Sequence, residues 1–122
     1  MSVHQFPIQR QTTVLNLAYQ TSATVATATG ISVNGILRGI GVTVPALVSG
    51  HTVTLTITDD NGYAVFSKVA IAQGGKTTFL VDTNNNYFQI PLCGVNYTFT
   101  ITSSGNEIAN QIFNVDLLIE RS

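Results

Sequence analysis

The sequence predicts an all-β chain folded as a single antiparallel β-sandwich of about eight strands, jelly-roll or immunoglobulin-like, and three observations lead there. Apolar and polar residues alternate at period two in segment after segment, and the 3.6-residue period of an amphipathic helix is missing almost everywhere. Clusters of Gly, Asn and Ser, the ordinary turn formers, separate these segments. Each segment has one apolar face, and such strands are covered only when two sheets pack face to face. A chain of 122 residues is the length of one domain, and folding at that size buries roughly two-thirds of the surface an unfolded chain exposes.

The strands follow in order. Thr12 to Tyr19 sets Leu15, Leu17 and Tyr19 on one face, and Ala23 to Thr29 is rich in small residues. In Val33 to Val44, Ile36, Ile40, Val42 and Val44 are in phase, with Arg38 on the same side between two isoleucines. Gly35, Gly39 and Gly41 predict a bend or bulge that turns Arg38 outward. The other reading is a buried arginine that orders a neighbouring carboxylate. Pro45 ends the strand. Thr52 to Asp59 points Val53, Leu55 and Ile57 inward and lays Thr52, Thr54, Thr56 and Thr58 along the outside.

Asp59-Asp60-Asn61-Gly62 then predicts a hairpin, with Asn-Gly supplying positive φ angles. Tyr63 to Ile71 directs Tyr63, Val65, Val69 and Ile71 to one side and Phe66 to the other. Thr77 to Val81, Tyr87 to Leu92 and Tyr97 to Thr102 come next. Gln111 to Arg121 closes the domain, with Phe113, Val115, Leu117 and Ile119 inside and Ile112, Asn114, Asp116, Leu118 and Glu120 outside. Residues 1–11 form an N-terminal arm in this reading, and residues 12–122 the sandwich.

Charge is scarce. Charged residues are 9% of the chain, against about a quarter in an average globular protein, so Thr, Ser, Asn, Gln and Gly must cover the surface. With 5 Lys and Arg, 6 Asp and Glu and a net charge of −1, no positive field exists to hold nucleic acid or an anionic membrane, and neither is expected as a partner. The start MSVHQFPIQR has no basic segment followed by an apolar run, so no secretory signal is read and cytosolic synthesis follows. An uncharged threonine strip on a strand invites pairing, which suggests that a neighbouring molecule covers it.

No enzyme and no cofactor are expected. Asp59, Asp60 and Asn61, with Asp82, Asn84, Asn85 and Asn86, offer oxygens of the kind calcium takes. Their spacing matches no defined coordination loop, and turn chemistry accounts for them. His4 and His51 are the only histidines, no Gly-x-Ser-x-Gly elbow occurs, and Cys93 stands alone, so no nucleophile and base can be paired. Among the aromatics, Phe66 and Phe88 are the expected exposed pair, suited to a subunit contact or, with Tyr87, to a platform for sugar rings.

The succession TVATATG, ILRGIGVTVP, VTLTITDDNGYAVF, PLCGVNYTFTITSSG and VDLLIE, covering about Thr12 to Glu120, resembles small virion proteins of tailed bacteriophages. The resemblance implies a head-decoration (cement or auxiliary capsid) or related minor virion protein. Such a protein is made in the host cytoplasm, binds the outer surface of the capsid through the major capsid protein, and self-associates, often as a homotrimer. It implies no catalytic residue. In such proteins an N-terminal arm often grips the capsid, which makes Phe6, Ile8 and Arg10 the capsid-contact candidates. Phe66, Phe88, Ile112 and Leu118 are the candidates for contacts between subunits. The alternative is a glycan- or receptor-binding β-sandwich module of a phage tail or fibre.

Overall fold

A computed structural model describes residues 8–17, 24–80, 90–107 and 109–120. Every regular element among them is a strand: β1 (Ile8–Leu17), β2 (Val25–Val44), β3 (Val53–Thr58), β4 (Ala64–Ile71), β5 (Gly75–Phe79), β6 (Ile90–Ser103) and β7 (Gln111–Glu120). All pairings are antiparallel, in the order β1-β7-β2-β6-β3-β4, with β5 also paired to β2. The chain is a β-sandwich of jelly-roll-like type, as the alternation predicts.

The long β2 makes two layers from one hydrogen-bonded sheet. Val25 to Leu37 pairs with β6, Ile36 to Thr43 with β7, and Ile40 to Val44 with β5. Its first half therefore belongs to the layer β2-β6-β3-β4 and its second half to the layer β5-β2-β7-β1. Strands change sheets in this way where bulges bend them. The inner faces meet in a core that includes Leu15, Val42, Leu55, Phe99, Phe113 and Leu117, all nearly inaccessible to water. Gln11, at the rim of β1, reaches across to the Ser32 carbonyl on β2 (2.9 Å).

Bulges also explain why the sequence reads as more strands than the fold contains. Between Ala28 and Ile31, β2 advances three residues while β6 moves from Phe99 to Tyr97; between Ile31 and Val33, β6 moves from Tyr97 to Gly94. The two extra residues cancel. Gly30 (φ 69°) and Asn96 (φ 67°) absorb them in the left-handed region, which Gly enters freely and Asn tolerates. The segments expected at Ala23–Thr29 and Val33–Val44 are thus one strand, and Tyr97–Thr102 is continuous with Ile90–Leu92.

The bulge expected around Arg38 is present, and further irregularities change the facing of residues on β4. Against β7, Leu37 pairs with Ile119 and Gly39 with Leu118, so Arg38 is the extra residue of a bulge. Leu37 enters the core, and Arg38 turns to bond Glu120 in a forked pair (Nε to Oε1 3.1 Å, Nη2 to Oε2 3.3 Å). On β4, irregularities at both ends of the pairing with β3, with Ala70 at φ 57°, reverse the phase between them. Phe66 sits opposite Ile57 and is only 6% exposed, whereas Tyr63 and Val69, expected inside, face solvent. In the hairpin only Gly62 takes a positive φ (84°). Asp59 Oδ1 accepts the N–H groups of Asn61 (3.0 Å) and Tyr63 (2.9 Å), which holds the turn from its first residue.

The boundary drawn for an arm also shifts. Residues 8–11 lie in β1 and pair with residues 117–120 of β7, so the strand includes positions read as part of an arm. Phe66 gives a direct test of the phase reversal. Phe66→Ala should destabilise the chain by about 3 kcal/mol or more, the scale for emptying a buried aromatic site, read as a lower urea midpoint; a change below about 0.5 kcal/mol would place the ring at the surface.

Candidate interaction face

The outward side of the layer β5-β2-β7-β1 is a regular grid fixed by strand register. Directly opposed residues share a face in an antiparallel pair, so the even-numbered positions of β1 and β7 line up in rows. Arg10 stands beside Leu118, followed by Gly39; Thr12 stands beside Asp116, then Gly41 and Thr78; Val14 stands beside Asn114, then Thr43 and Lys76. Ile112 lies opposite Asn16 at one end, and Ile8 opposite Glu120 at the other.

This face concentrates exposed apolar surface. Ile112 (59% exposed), Ile8 (52%), Val14 (51%) and Leu80 (50%) all belong to it. Leu80 follows β5 directly and reaches Gly39, where a Cβ would lie 3.0 Å from both Leu80 Cδ2 and Leu118 Cδ1. The missing side chain on β2 lets two leucines lean toward each other from the flanking strands. Leu118 is thereby half-buried within the chain.

A polar seam runs through the middle. Lys76 crosses Gly41, where a Cβ would come within 2.8 Å of Lys76 Cε, and its Nζ bonds Asp116 Oδ2 at 3.0 Å. Thr12 Oγ1 donates to the other carboxylate oxygen. Burial pushes the Asp116 carboxyl up, but the bonds from Thr12 and Lys76 and the charges of Lys76 and Arg10 outweigh it and hold it below its ordinary value. Side chains of two other strands, β1 and β5, therefore act on one buried carboxylate of β7.

The other layer's outward side is different in kind. Thr54, Thr56 and Thr58 on β3 stand opposite Thr102, Thr100 and Thr98 on β6, and Thr27 on β2 extends the row at Thr100. Thr56 Oγ1 and Ser67 Oγ lie 3.3 Å apart across to β4. The threonine strip is central in its layer and is paired by backbone on both sides, so it needs no neighbouring molecule to satisfy its edge.

Glu107 anchors the end of the sandwich. It is 2% exposed and accepts from Val48 N (2.9 Å) and Ser103 Oγ (2.8 Å), with His51 Nδ1 2.5 Å from Oε2. Gln73 clamps the same loop, accepting from Leu47 N (2.8 Å) and donating to the Val48 (2.8 Å) and His51 (2.9 Å) carbonyls. Burial pushes the Glu107 carboxyl up, but the bonds from His51, Val48 and Ser103 and the His51 charge outweigh it, leaving it below the ordinary glutamate value. An open hollow of about 440 Å³ lies beside this loop, and two of its lining side chains, His51 and Gln73, are engaged in holding Leu47 to His51 in place.

The residues singled out from the sequence separate accordingly. Ile8, Arg10, Ile112 and Leu118 come together on the grid, although Ile8 and Arg10 belong to a strand and not to an arm. Phe66, expected as an exposed subunit contact, is buried against Phe79, with ring centroids 5.8 Å apart. Phe6 and Phe88, and with them Tyr87 and the run Asp82 to Asn86, lie outside the described residues. Asp59 is engaged as a turn acceptor. Val14 and Leu80 were not picked out. Val14 was legible, since it precedes inward Leu15 on the strand; Glu107, in the polar stretch between β6 and β7, carried no sign of burial.

No protein-family model and no curated protein sequence matches the chain. Among solved structures, a chain from the cyanophage Pam1 capsid asymmetric unit aligns with 100% of this chain and 91% of its own length, at a TM-score of 0.58 and 17% identity. The two chains share a fold. A chain from the disulfide-linked pili of Bacillus endospore appendages (TM-score 0.43, 13% identity, 100% of this chain and 96% of that one) and one from the infectious bursal disease virus VP2 subviral particle (0.44, 16%, 92% and 33%) are too distant to carry an argument.

The two buried carboxylates set the acid response. Both have folded-state values lowered from the ordinary 4.5 (Glu107) and 3.8 (Asp116). Their stabilisation is therefore fully present above those ordinary values and lost as pH falls through the lower folded ones. The unfolding temperature should vary little with these groups from neutral pH down to about 5 and drop steeply below about 4. Glu107→Gln should lower it at neutral pH, since an amide nitrogen would face donors, and should flatten the acid limb.

Proposed function

We propose that this chain is a structural virion protein that binds the outer surface of a bacteriophage capsid and decorates or stabilises it. The observation that carries this reading is the end-to-end fold likeness to a chain of the Pam1 capsid asymmetric unit. It spans all of this chain and 91% of that one.

The outward face of β5-β2-β7-β1 supports the reading. It presents Ile8, Val14, Leu80 and Ile112 around a seam whose charges are paired with each other. Such a face can be laid on another protein without stranding an unpaired buried charge, the costly element in an interface. Exposed Arg10 lies on it and would meet an acidic patch of the major capsid protein. In this reading the grip on the capsid comes from a sheet face, with β1 supplying the residues first assigned to an arm. The sparse overall charge suits a protein held among neighbours on a lattice.

The test is co-sedimentation of the purified chain with capsids of the phage whose genome encodes it. Saturable binding is expected. Ile112→Lys should weaken it about tenfold or more, equivalent to about 1.4 kcal/mol, while leaving the urea midpoint of the free chain within about 0.5 kcal/mol of the parent. Absence of co-sedimentation at any capsid concentration would refute the proposal.

A further inference from the structure

Residues 46–51 follow β2 and lie outside every strand, at the end of the sandwich that Glu107 occupies. One bond closes the segment on itself, from His51 N to the Val48 carbonyl (3.0 Å). Every hydrogen bond that ties it to the rest of the described chain ends on one of two side chains. Gln73, between β4 and β5, holds Leu47, Val48 and His51 by their backbone. Glu107, between β6 and β7, holds Val48 N and the His51 ring. Leu47 is the segment's one core side chain. The flanks are secured differently. Gly74 N donates to the Val44 (3.0 Å) and Pro45 (3.2 Å) carbonyls, while Thr52 N donates to Ser104 Oγ (3.0 Å) and the Thr52 carbonyl accepts from Ser104 N (2.9 Å). None of these flanking bonds uses an ionisable group.

Of the two clamps, only Glu107 changes state with pH. As a carboxylate it accepts Val48 N at Oε1, and Ser103 Oγ and His51 Nδ1 at Oε2. A proton on it turns an acceptor into a donor among donors, and a polar group left unmet in the interior is costly. The surrounding elements bring one titratable side chain to it among the described residues. His51 comes from the segment itself, while Ser103 and Gly105 after β6 and Gln73 after β4 are neutral. Gly105 makes room for the ring, since a Cβ there would collide with the His51 imidazole.

We infer that residues 46–51 are an acid-released strap: protonation of Glu107 frees them as a unit while both layers stay folded. Only Leu47 has to leave the core, whereas opening a layer breaks a ladder along a whole strand, so the strap lies at the low end of local stability. The direction follows from the closed state, in which Glu107 titrates below its ordinary 4.5. The strap is therefore fully held above that value and released as pH falls through the lower one. Opening brings Leu47 into water, an apolar surface that the closed chain hides.

Amide hydrogen exchange of the full chain, read by NMR with each rate divided by the intrinsic rate at that pH, tests the inference. Leu47 N bonds to Gln73 and not to Glu107, so its response reports release of the whole strap. Its protection should lie about tenfold or more below that of the β2–β7 ladder amides at neutral pH, and fall a further tenfold or so by about pH 3.5 with the ladder still protected. Equal protection in strap and ladder would show that the strap opens only with the fold, and overturns the inference. Protection at Leu47 that does not respond to acid overturns it as well.

Two variants separate the clamps. Glu107→Gln should give Leu47 at neutral pH the low protection that the parent shows in acid, with the ladder protected, and should remove the acid response. Gln73→Ala should lower protection at neutral pH and keep the acid response, because Glu107 is still present. A strap that stays as protected as the parent's in both variants would overturn the inference. Neither residue lies on the face assigned to the capsid, so the outcome is independent of the capsid reading.

Discussion

The bend in β2 is the constraint on which the rest of the structure depends. One twenty-residue strand pairs with β6 at its beginning and with β7 and β5 at its end. Both layers are therefore built on a single backbone, and the angle between them is set by hydrogen-bond register more than by loop geometry. Gly30 and Asn96 accommodate the mismatch with β6, and Arg38 the mismatch with β7. Without the bulge at Arg38, the phase that puts Leu37, Ile40 and Val42 in the core would be lost on one side of it, because a one-residue slip exchanges the two faces of a strand.

The few charges are placed where strands or loops must be held together. Arg38 ties the bulge of β2 to Glu120 at the end of β7; Lys76 and Asp116 tie β5 to β7 across the gap left by Gly41; His51 and Glu107 fix the loop after β2. Each is at least partly withdrawn from water, and the buried carboxylates have several donors each, as burial of such groups requires. Among the described residues, most of what remains outside is neutral, with Arg10, Asp60 and Lys68 as exposed exceptions. The two broad faces differ for that reason: one is a threonine array sealed by cross-strand pairing, while the other is an apolar grid around a closed polar seam. Only the second has the makings of a contact surface.

Much of the fold was legible because period-two alternation needs no tertiary information. Val53, Leu55 and Ile57, and Phe113, Val115, Leu117 and Ile119, face the core as their spacing demands. The outward position of Ile112 on β7 follows from the same count. Legibility failed at bulges. Phe66 and Tyr63 exchange roles on β4 because extra residues reverse the phase, and nothing in the local run YAVFSKVAI marks where they fall. The interaction face was half legible: Ile112, Ile8 and Arg10 were found singly, but their neighbourhood with Leu80 arises from β5 and β7 flanking the same stretch of β2.

By itself the sequence determined an all-β sandwich with a core of alternating aliphatics and a surface poor in charge, since these depend on residue type and short-range spacing. Tertiary structure decided that two apparent strands are one, that the threonine strip lies in mid-layer, and that Glu107 is an interior anchor. Those properties depend on which strands are neighbours and in what register, and register is set by contacts between residues as far apart as Ile8 and Glu120, a separation at which local spacing carries no information.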